Sequence, residues 1–450
     1  MSFQATYKGE QLILPDIECG CGMPHENPDM DIYIGNGIID NSGDYIKKKN
    51  LGKKVLVVTD NVVDDVAGKK VVEILSQTGF DVKLCILERE DELVPDETAL
   101  GEVLLALEDD IDFLAAVGSG SINDVTRYVA FNTDRPFVSI GTAPSMDGYT
   151  SVIAPLIYND LKVNKPAVCP EVLICDLDIM KEAPYDLIIS GFGDVVGKYI
   201  AIADWILGRE IINEQYCPVN VDIVFQAVEK CMDNVEGIIN RTETGIKSLL
   251  EALILAGVTI LIIDKTRAVS SIEHAMGHYL EMMKLLRGEK PARHGITVGV
   301  TTVYAIQFYE KFLNIDLRNI DKQQIKRNRL SEEEWEQIIL DKYGQKIGPK
   351  ILEEENPDGY LDWSEQERRI EVVLDKFDNI KDELEFLPDW QDLKEIYQDL
   401  GLPITAEEIE IDDNLLENAL LYAKDYRQRY NVFKTADELG LLKNIVAEIT

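Results

Sequence analysis

Short β-branched runs alternate with helical stretches over the first 180 residues, and then the alternation stops. DIYIGNGII (Asp31 to Ile39) reads as a strand and turn. VLVVTD (Val55 to Asp60) suits a strand buried on both faces. A helical stretch over Val71 to Gln77, closed by Gly79, leads to a strand at Val82 to Leu87 and a helix from Asp96 to Glu108. FLAAVGSGS then opens a helix over Asn123 to Phe131, and PFVSIGTA (Pro136 to Ala143) is the next strand. This order demands βαβ crossovers and a parallel sheet covered on both faces. From Pro184 onward the pattern is helical, with a long apolar stretch at Leu249 to Ile263 and an amphipathic one at Ser271 to Leu286. The expected architecture is α/β: a parallel-sheet domain over 1–182, then an all-helical domain over 183–450. Within the latter, 320–450 reads as an acidic extension of solvated helices whose Trp335, Trp363 and Trp390 pack into helical core.

Charge narrows the function classes. The 450 residues carry 45 Lys+Arg against 82 Asp+Glu, a formal net charge of −37. That balance disfavours nucleic acid and anionic membrane, both of which need a basic face. An anionic substrate would need cations gathered locally against the field of the whole protein. Seven cysteines, an odd and sparse set, point to a reducing, cytoplasmic setting rather than a disulfide framework. The N-terminal stretch MSFQATYKGEQLILPDIECG lacks the basic and apolar regions of a leader. The apolar run Ala252 to Ile263 falls short of the roughly twenty residues a bilayer span needs, so a buried helix is expected there, not membrane insertion.

Two constellations carry chemistry. Val117-Gly-Ser-Gly-Ser-Ile-Asn-Asp124 follows a strand and opens a helix, where backbone N–H groups favour an anion such as a dinucleotide pyrophosphate. Its spacing is neither G-x-G-x-x-G nor a Walker A, so a plain tight turn is an equal reading. Asp60, at a strand end, could hold an adenosine ribose and favour NAD over NADP, or could simply cap a helix. The second constellation is histidine. Three of the four His fall between 274 and 294, with His274 and His278 on one helix face and His294 opening a further helix. Two imidazoles need a third ligand to leave a catalytic position open, and Asp194 in Ser-Gly-Phe-Gly-Asp supplies a carboxylate. The absence of H-E-x-x-H disfavours a zinc protease. Cys19-Gly-Cys21-Gly-Met-Pro-His25 looks like a metal knuckle, but its C-x-C spacing is tight and no fourth ligand stands near it in sequence, so no structural metal is expected there.

GSGSINDVTRY, TAPSMDGYTS, SGFGDVVGKYIAIADW, EHAMGHYLE and RHGITVGV, in this order, resemble the bacterial branch of the glycerol-1-phosphate dehydrogenases, within the iron-containing alcohol dehydrogenase and glycerol dehydrogenase superfamily. The opening CGCGMPH is similar to that branch too, whereas the tail beyond about 320 inherits no role. The resemblance implies a Rossmann-like first domain and an active site in the cleft before the helical domain. It implies that Gly120, Ser121, Ile122, Asn123 and Asp124 line an NAD site, with Thr142, Ala143, Pro144, Ser145 and Ser151 as a second cofactor-contacting loop. Asp147 would contact substrate, and Asp194, His274 and His294 would bind one divalent metal: zinc, nickel or iron. Asp194 would also touch substrate, and His278 would act beside the metal in proton relay or on a substrate hydroxyl.

The implied reaction interconverts dihydroxyacetone phosphate and sn-glycerol 1-phosphate with NAD or NADP. The implied partner is a small phosphorylated three-carbon substrate, and a homodimer or larger homo-oligomer is expected from the commonness of two-fold assemblies. Lys165, Lys198, Arg267 and Arg293 are candidate cations for the phosphate. Glycerol dehydrogenase chemistry on an unphosphorylated polyol stays open, as do a 3-dehydroquinate-synthase-like lyase and a non-catalytic nucleotide-binding protein.

Overall fold

The computed structural model describes residues 5–450 except 16, 27 and 160. Residues 1–4, part of the stretch searched for a leader, lie outside the described residues. Ten strands run in chain order: β1 (Thr6–Lys8), β2 (Gln11–Ile13), β3 (Asp31–Gly35), β4 (Lys54–Asp60), β5 (Asp81–Leu87), β6 (Phe113–Gly118), β7 (Phe137–Gly141), β8 (Ile153–Tyr158), β9 (Leu161–Pro166) and β10 (Val172–Asp176). Eight of them form one sheet in the order β1-β2-β3-β10-β7-β6-β4-β5, and β8 and β9 pair separately as a hairpin. From β3 to β5 every pairing is parallel, while β1, β2 and β3 meet antiparallel.

The alternation along β4 shows why both faces must be covered. Val55 and Val57 point into one core with Val117, Val138 and Ile140. Leu56 and Val58 point into the other with Leu114, Val125 and Val129. Helices between the strands supply the covering layers: α1 (Lys69–Thr78), α2 (Glu97–Ala106) and α3 (Gly120–Asn132). Their ends follow local chemistry. Gly79 closes α1 at φ +100°, a left-handed cap open to glycine at no steric cost. The Asp96 carboxylate caps α2 by accepting the Ala99 N–H at 2.9 Å.

The chain forms two compact units, and they do not follow one cut at 182/183. The first comprises the described residues up to Val195 together with Pro218–Thr266, and the second comprises Val196–Cys217 and Arg267–Thr450. The first unit therefore takes in a helix of the expected helical domain, α6 (Glu243–Ile263), besides α4 (Tyr185–Val196), most of which it holds, and α5 (Pro218–Met232). By length and composition α6 could cross a bilayer, but 83% of its most apolar window is buried inside the fold. Thr150 Oγ1 donates to the Ile254 carbonyl of α6 at 3.4 Å.

The second unit is helical throughout its described residues. Here the reading of 320–450 as solvated helices is corrected. Trp335, Ile339, Tyr343, Leu393, Tyr397 and Phe433 are all buried, so this segment supplies core. Its charges lie on the opposite helix faces, which is why composition alone misled. Trp363 and Trp390 are only half-buried, with Lys326 and Arg329 over the first ring and Lys394 over the second.

Candidate active site

In the first unit the strand order reverses at β4. The chain leaves β4 for β5 on one side and returns to β6 on the other. In open parallel sheets a ligand crevice forms outside the carboxyl ends of the strands at such a switch point. Asp60 ends β4, and Ser119 and Gly120 follow the end of β6. The Gly120 start of α3 has no side-chain cap, so its first N–H groups face outward for an anion. One turn in, the Asn123 amide is buried with both Nδ2 and Oδ1 lacking any hydrogen-bond partner. A buried amide without partners is costly, and a bound polar ligand would satisfy it. The residues present therefore fit a dinucleotide.

The predicted cofactor residues divide by what they can offer. Gly120 and Ser121 are partly exposed at the helix start. The Ile122 side chain belongs to the core with Leu56 and Val58, so only its backbone N–H can serve a phosphate. Asp60 Oδ1 accepts from the Val62 and Val63 N–H groups at 2.9 and 2.7 Å. That is the cap reading; because one oxygen takes both bonds, Oδ2 stays available to a ribose.

Burial pushes the Asp124 carboxyl up to about 7, although Arg127 Nε, 3.7 Å away, pulls it back. Between the ordinary carboxylate range and that value the folded state keeps a proton the unfolded chain has released. Stability from this group is therefore lost as pH rises through that window. Asp124→Asn is expected to flatten the fall in unfolding free energy between about pH 4 and 7. Denaturant titrations at several pH values check this, and parallel curves for the two proteins would refute it.

The second loop is built by residues that sequence reading passed over. Arg127 is fully buried, and Nη1 donates to the Ser151 carbonyl at 2.7 Å while Nη2 donates to the Tyr149 carbonyl at 3.0 Å and to that of Gly148. Its guanidinium thus holds the turn carrying Asp147 and Ser151. The Tyr149 hydroxyl donates to the Ala143 carbonyl at 2.8 Å, tying that turn to Thr142–Ser145. Helix α4 approaches the same loop closely. A Cβ on Gly191 would collide with the Pro144 carbonyl oxygen, and Ser190 Oγ donates to the Ser145 carbonyl at 3.3 Å. This approach brings Asp194 Oδ2 to 3.1 Å from the Asp147 N–H, so the structure joins these two predicted acids.

In the second unit, α7 (Lys198–Ile212), α8 (Ile272–Leu286) and α9 (His294–Leu313) gather the histidines. Helical spacing puts His274 and His278 on one face of α8, and His294 is the first residue of α9. Ring centroids lie 5.4 Å apart for His274 and His294, and 5.1 Å for His278 and His294. Two carboxylates missed in the sequence complete the cluster. His274 Nδ1 lies 2.7 Å from Glu273 Oε1, and His294 Nδ1 lies 2.7 Å from Glu281 Oε1. Metal-ligating imidazoles nearly always give their second nitrogen to a carboxylate or carbonyl, which directs Nε2 at the ion. His278 Nδ1 stands at a looser 3.6 Å from Glu281 Oε2. Donor atoms of His278, Glu281 and His294 also lie within 4.8 Å of one another. Glu281 is better read as the orienter of His294, because its Oε1 already holds that ring. Two imidazoles backed by carboxylates in this way, His274 and His294, have the chemistry of divalent-metal ligands. The signal in sequence was present: Glu273 and Glu281 flank the two histidines in EHAMGHYLE.

Asp204 holds these helices together. Its carboxylate accepts from the Tyr309 hydroxyl at 2.6 Å and the Val432 N–H at 2.8 Å. Of the four candidate phosphate cations, Arg267 is corrected to a structural role, since it bonds Glu214, Ser271 Oγ and the Asp204 and Tyr430 carbonyls. Lys165 is exposed, Arg293 half-buried and Lys198 buried.

A family profile for iron-containing alcohol dehydrogenases matches residues 33–184. Glycerol dehydrogenase from Schizosaccharomyces pombe shares the fold, with TM-score 0.59 and 17% identity over 93% of this chain and 90% of that one. Glycerol-1-phosphate dehydrogenase, NAD(P)+, of Bacillus subtilis is 35% identical over 64% of this chain and 73% of its own. The Bacillus licheniformis enzyme of the same name is 29% identical over 96% of this chain and 94% of its own. The chain belongs to the glycerol-1-phosphate dehydrogenase family.

Proposed function

We propose that this chain catalyses the reversible, NAD(P)-dependent reduction of dihydroxyacetone phosphate to sn-glycerol 1-phosphate, with one divalent metal ion of zinc, nickel or iron. The observation that carries the reading is the pair of imidazoles whose Nδ1 atoms rest on Glu273 and Glu281. Asp194, His274 and His294 are the proposed ligands, as the sequence motifs imply. When bound, the ion supplies Lewis acidity toward the substrate oxygen, and the nicotinamide supplies the hydride.

The protein's part is orientation and proton movement. Glu273 and Glu281 fix two rings and raise their basicity as ligands. Asp147, whose N–H is held by Asp194, orients a substrate hydroxyl. His278 delivers the proton that the reduced oxygen takes up. The first N–H groups of α3 hold the pyrophosphate, and the Asn123 amide gains partners on cofactor binding. Seven cysteines with no disulfide among them support a cytoplasmic setting, and the product suits phospholipid synthesis. A homo-oligomer remains the proposed assembly.

The test is turnover of dihydroxyacetone phosphate beside dihydroxyacetone, with the product's handedness read by an sn-glycerol-3-phosphate-specific oxidation. Strong preference for the phosphate and a product inert to that oxidation are expected. Equal efficiency with dihydroxyacetone would favour a glycerol dehydrogenase instead.

For the cofactor, Asp60→Ala is expected to raise relative NADPH use roughly tenfold, since its charge repels a 2′-phosphate, and to cost about 1 kcal/mol of stability through the lost cap. Asp60→Ser should restore the cap but not NADH preference. An unchanged NADH/NADPH ratio in both variants removes the ribose role.

A further inference from the structure

Residues 14–30, between β2 and β3, hold no helix or strand among those described. Loops of more than about 12–15 residues without secondary structure usually need a reason of their own. This one is pinned. Gly22 turns the chain at φ +79°, a conformation that favours glycine. Met23 is buried, and the Glu26 N–H donates to the Ile262 carbonyl of α6 at 3.2 Å.

Within that loop, Cys19, Cys21 and His25 each present a donor atom, and these atoms lie within 4.8 Å of one another. All three side chains are half-buried. Cys21 Sγ stands 3.6 Å from His25 Nε2. A tetrahedral zinc ion with Zn–S of about 2.3 Å and Zn–N of about 2.05 Å spaces its sulfur and nitrogen ligands about 3.6 Å apart. The C-x-C spacing looked too tight when read as a knuckle alone. The Gly22 turn changes that by folding His25 back onto the two thiols.

We propose that Cys19, Cys21 and His25 bind a thiophilic divalent cation of the zinc class, separate from the dehydrogenase metal, which closes this loop on itself. Thiolate ligands distinguish it chemically from a centre of imidazoles and a carboxylate. The fourth position is left to water or a further donor.

The test uses the full-length protein reconstituted with Co2+. Thiolate ligation gives a sulfur-to-cobalt charge-transfer absorption in the near ultraviolet, which imidazole and carboxylate ligands do not give. The band is expected in the unaltered protein at about one equivalent per chain, absent in Cys21→Ser, and retained in His274→Ala. Absence from the unaltered protein, or persistence in Cys21→Ser, would overturn the site. Retention in His274→Ala separates this outcome from failure of the dehydrogenase reading. Should Cys21→Ser not fold, the zinc-loaded His274→Ala protein is titrated with an organomercurial thiol reagent. Release of about one zinc in step with thiol modification supports the site, and no release refutes it.

Discussion

His274→Ala is expected to lose bound metal and catalysis together. Two ligands cannot replace three on an open catalytic ion, and a Lewis acid contributes several kcal/mol to stabilising the developing alkoxide. A loss of roughly 4 kcal/mol corresponds to a fall of about 10³-fold in kcat/KM. The neighbouring carboxylate offers a graded comparison. Glu273 Oε1 sits 2.7 Å from His274 Nδ1, so Glu273→Gln keeps the ligand but weakens its orientation. Outer partners of this kind typically cost about 10–100-fold in metal affinity or activity. Elemental analysis beside NADH oxidation reads both variants. Full metal and full activity in His274→Ala would strike it from the ligand set.

The second large effect is one of stability. Arg127 is fully buried, and its guanidinium serves the carbonyls of Gly148, Tyr149 and Ser151, with Ile153 at a longer 3.3 Å. Arg127→Met keeps much of the volume but leaves these acceptors, and the Asp124 carboxylate, without their cation. Breaking a buried charged group out of such a network costs about 3–5 kcal/mol. Denaturant unfolding should show that loss at an unchanged slope. Because the same guanidinium holds the turn bearing Asp147 and Ser151, the folded fraction should also show a raised KM for both cofactor and substrate. A loss under about 1 kcal/mol with unaltered kinetics would show that the turn holds itself.

Much of the first unit was legible because its strands announce themselves. Continuous β-branched runs such as Val55 to Val58 have no other stable home than a doubly covered sheet. The three-residue strands Thr6–Lys8 and Gln11–Ile13 were missed, since so few residues carry no periodicity. The single domain boundary failed for a different reason. A helix pattern records that Glu243–Ile263 is helical and apolar, but not which unit it packs with. The acidic tail misled similarly: net charge described its solvent faces and hid Tyr343 and Tyr397.

The site divides along the same line. The residues proposed to touch ligands sit in motifs, and the structure joined Asp147 with Asp194, and His274 with His278 and His294. The residues that position them, Arg127, Asp204, Glu273 and Glu281, lie inside the same strings, but what each one holds emerges only from contacts. Asp60 answered to both of its readings, since a cap uses one carboxylate oxygen and a ribose could use the other.

Metal-assisted hydride transfer to a phosphorylated ketone is the reaction on which the proposed function turns. The most direct measurement is NADH oxidation with dihydroxyacetone phosphate by protein stripped with a chelator and then reloaded with zinc, nickel or iron. Loss of turnover on stripping and its recovery with at least one of the three is the predicted result. Undiminished turnover by the stripped protein would contradict it.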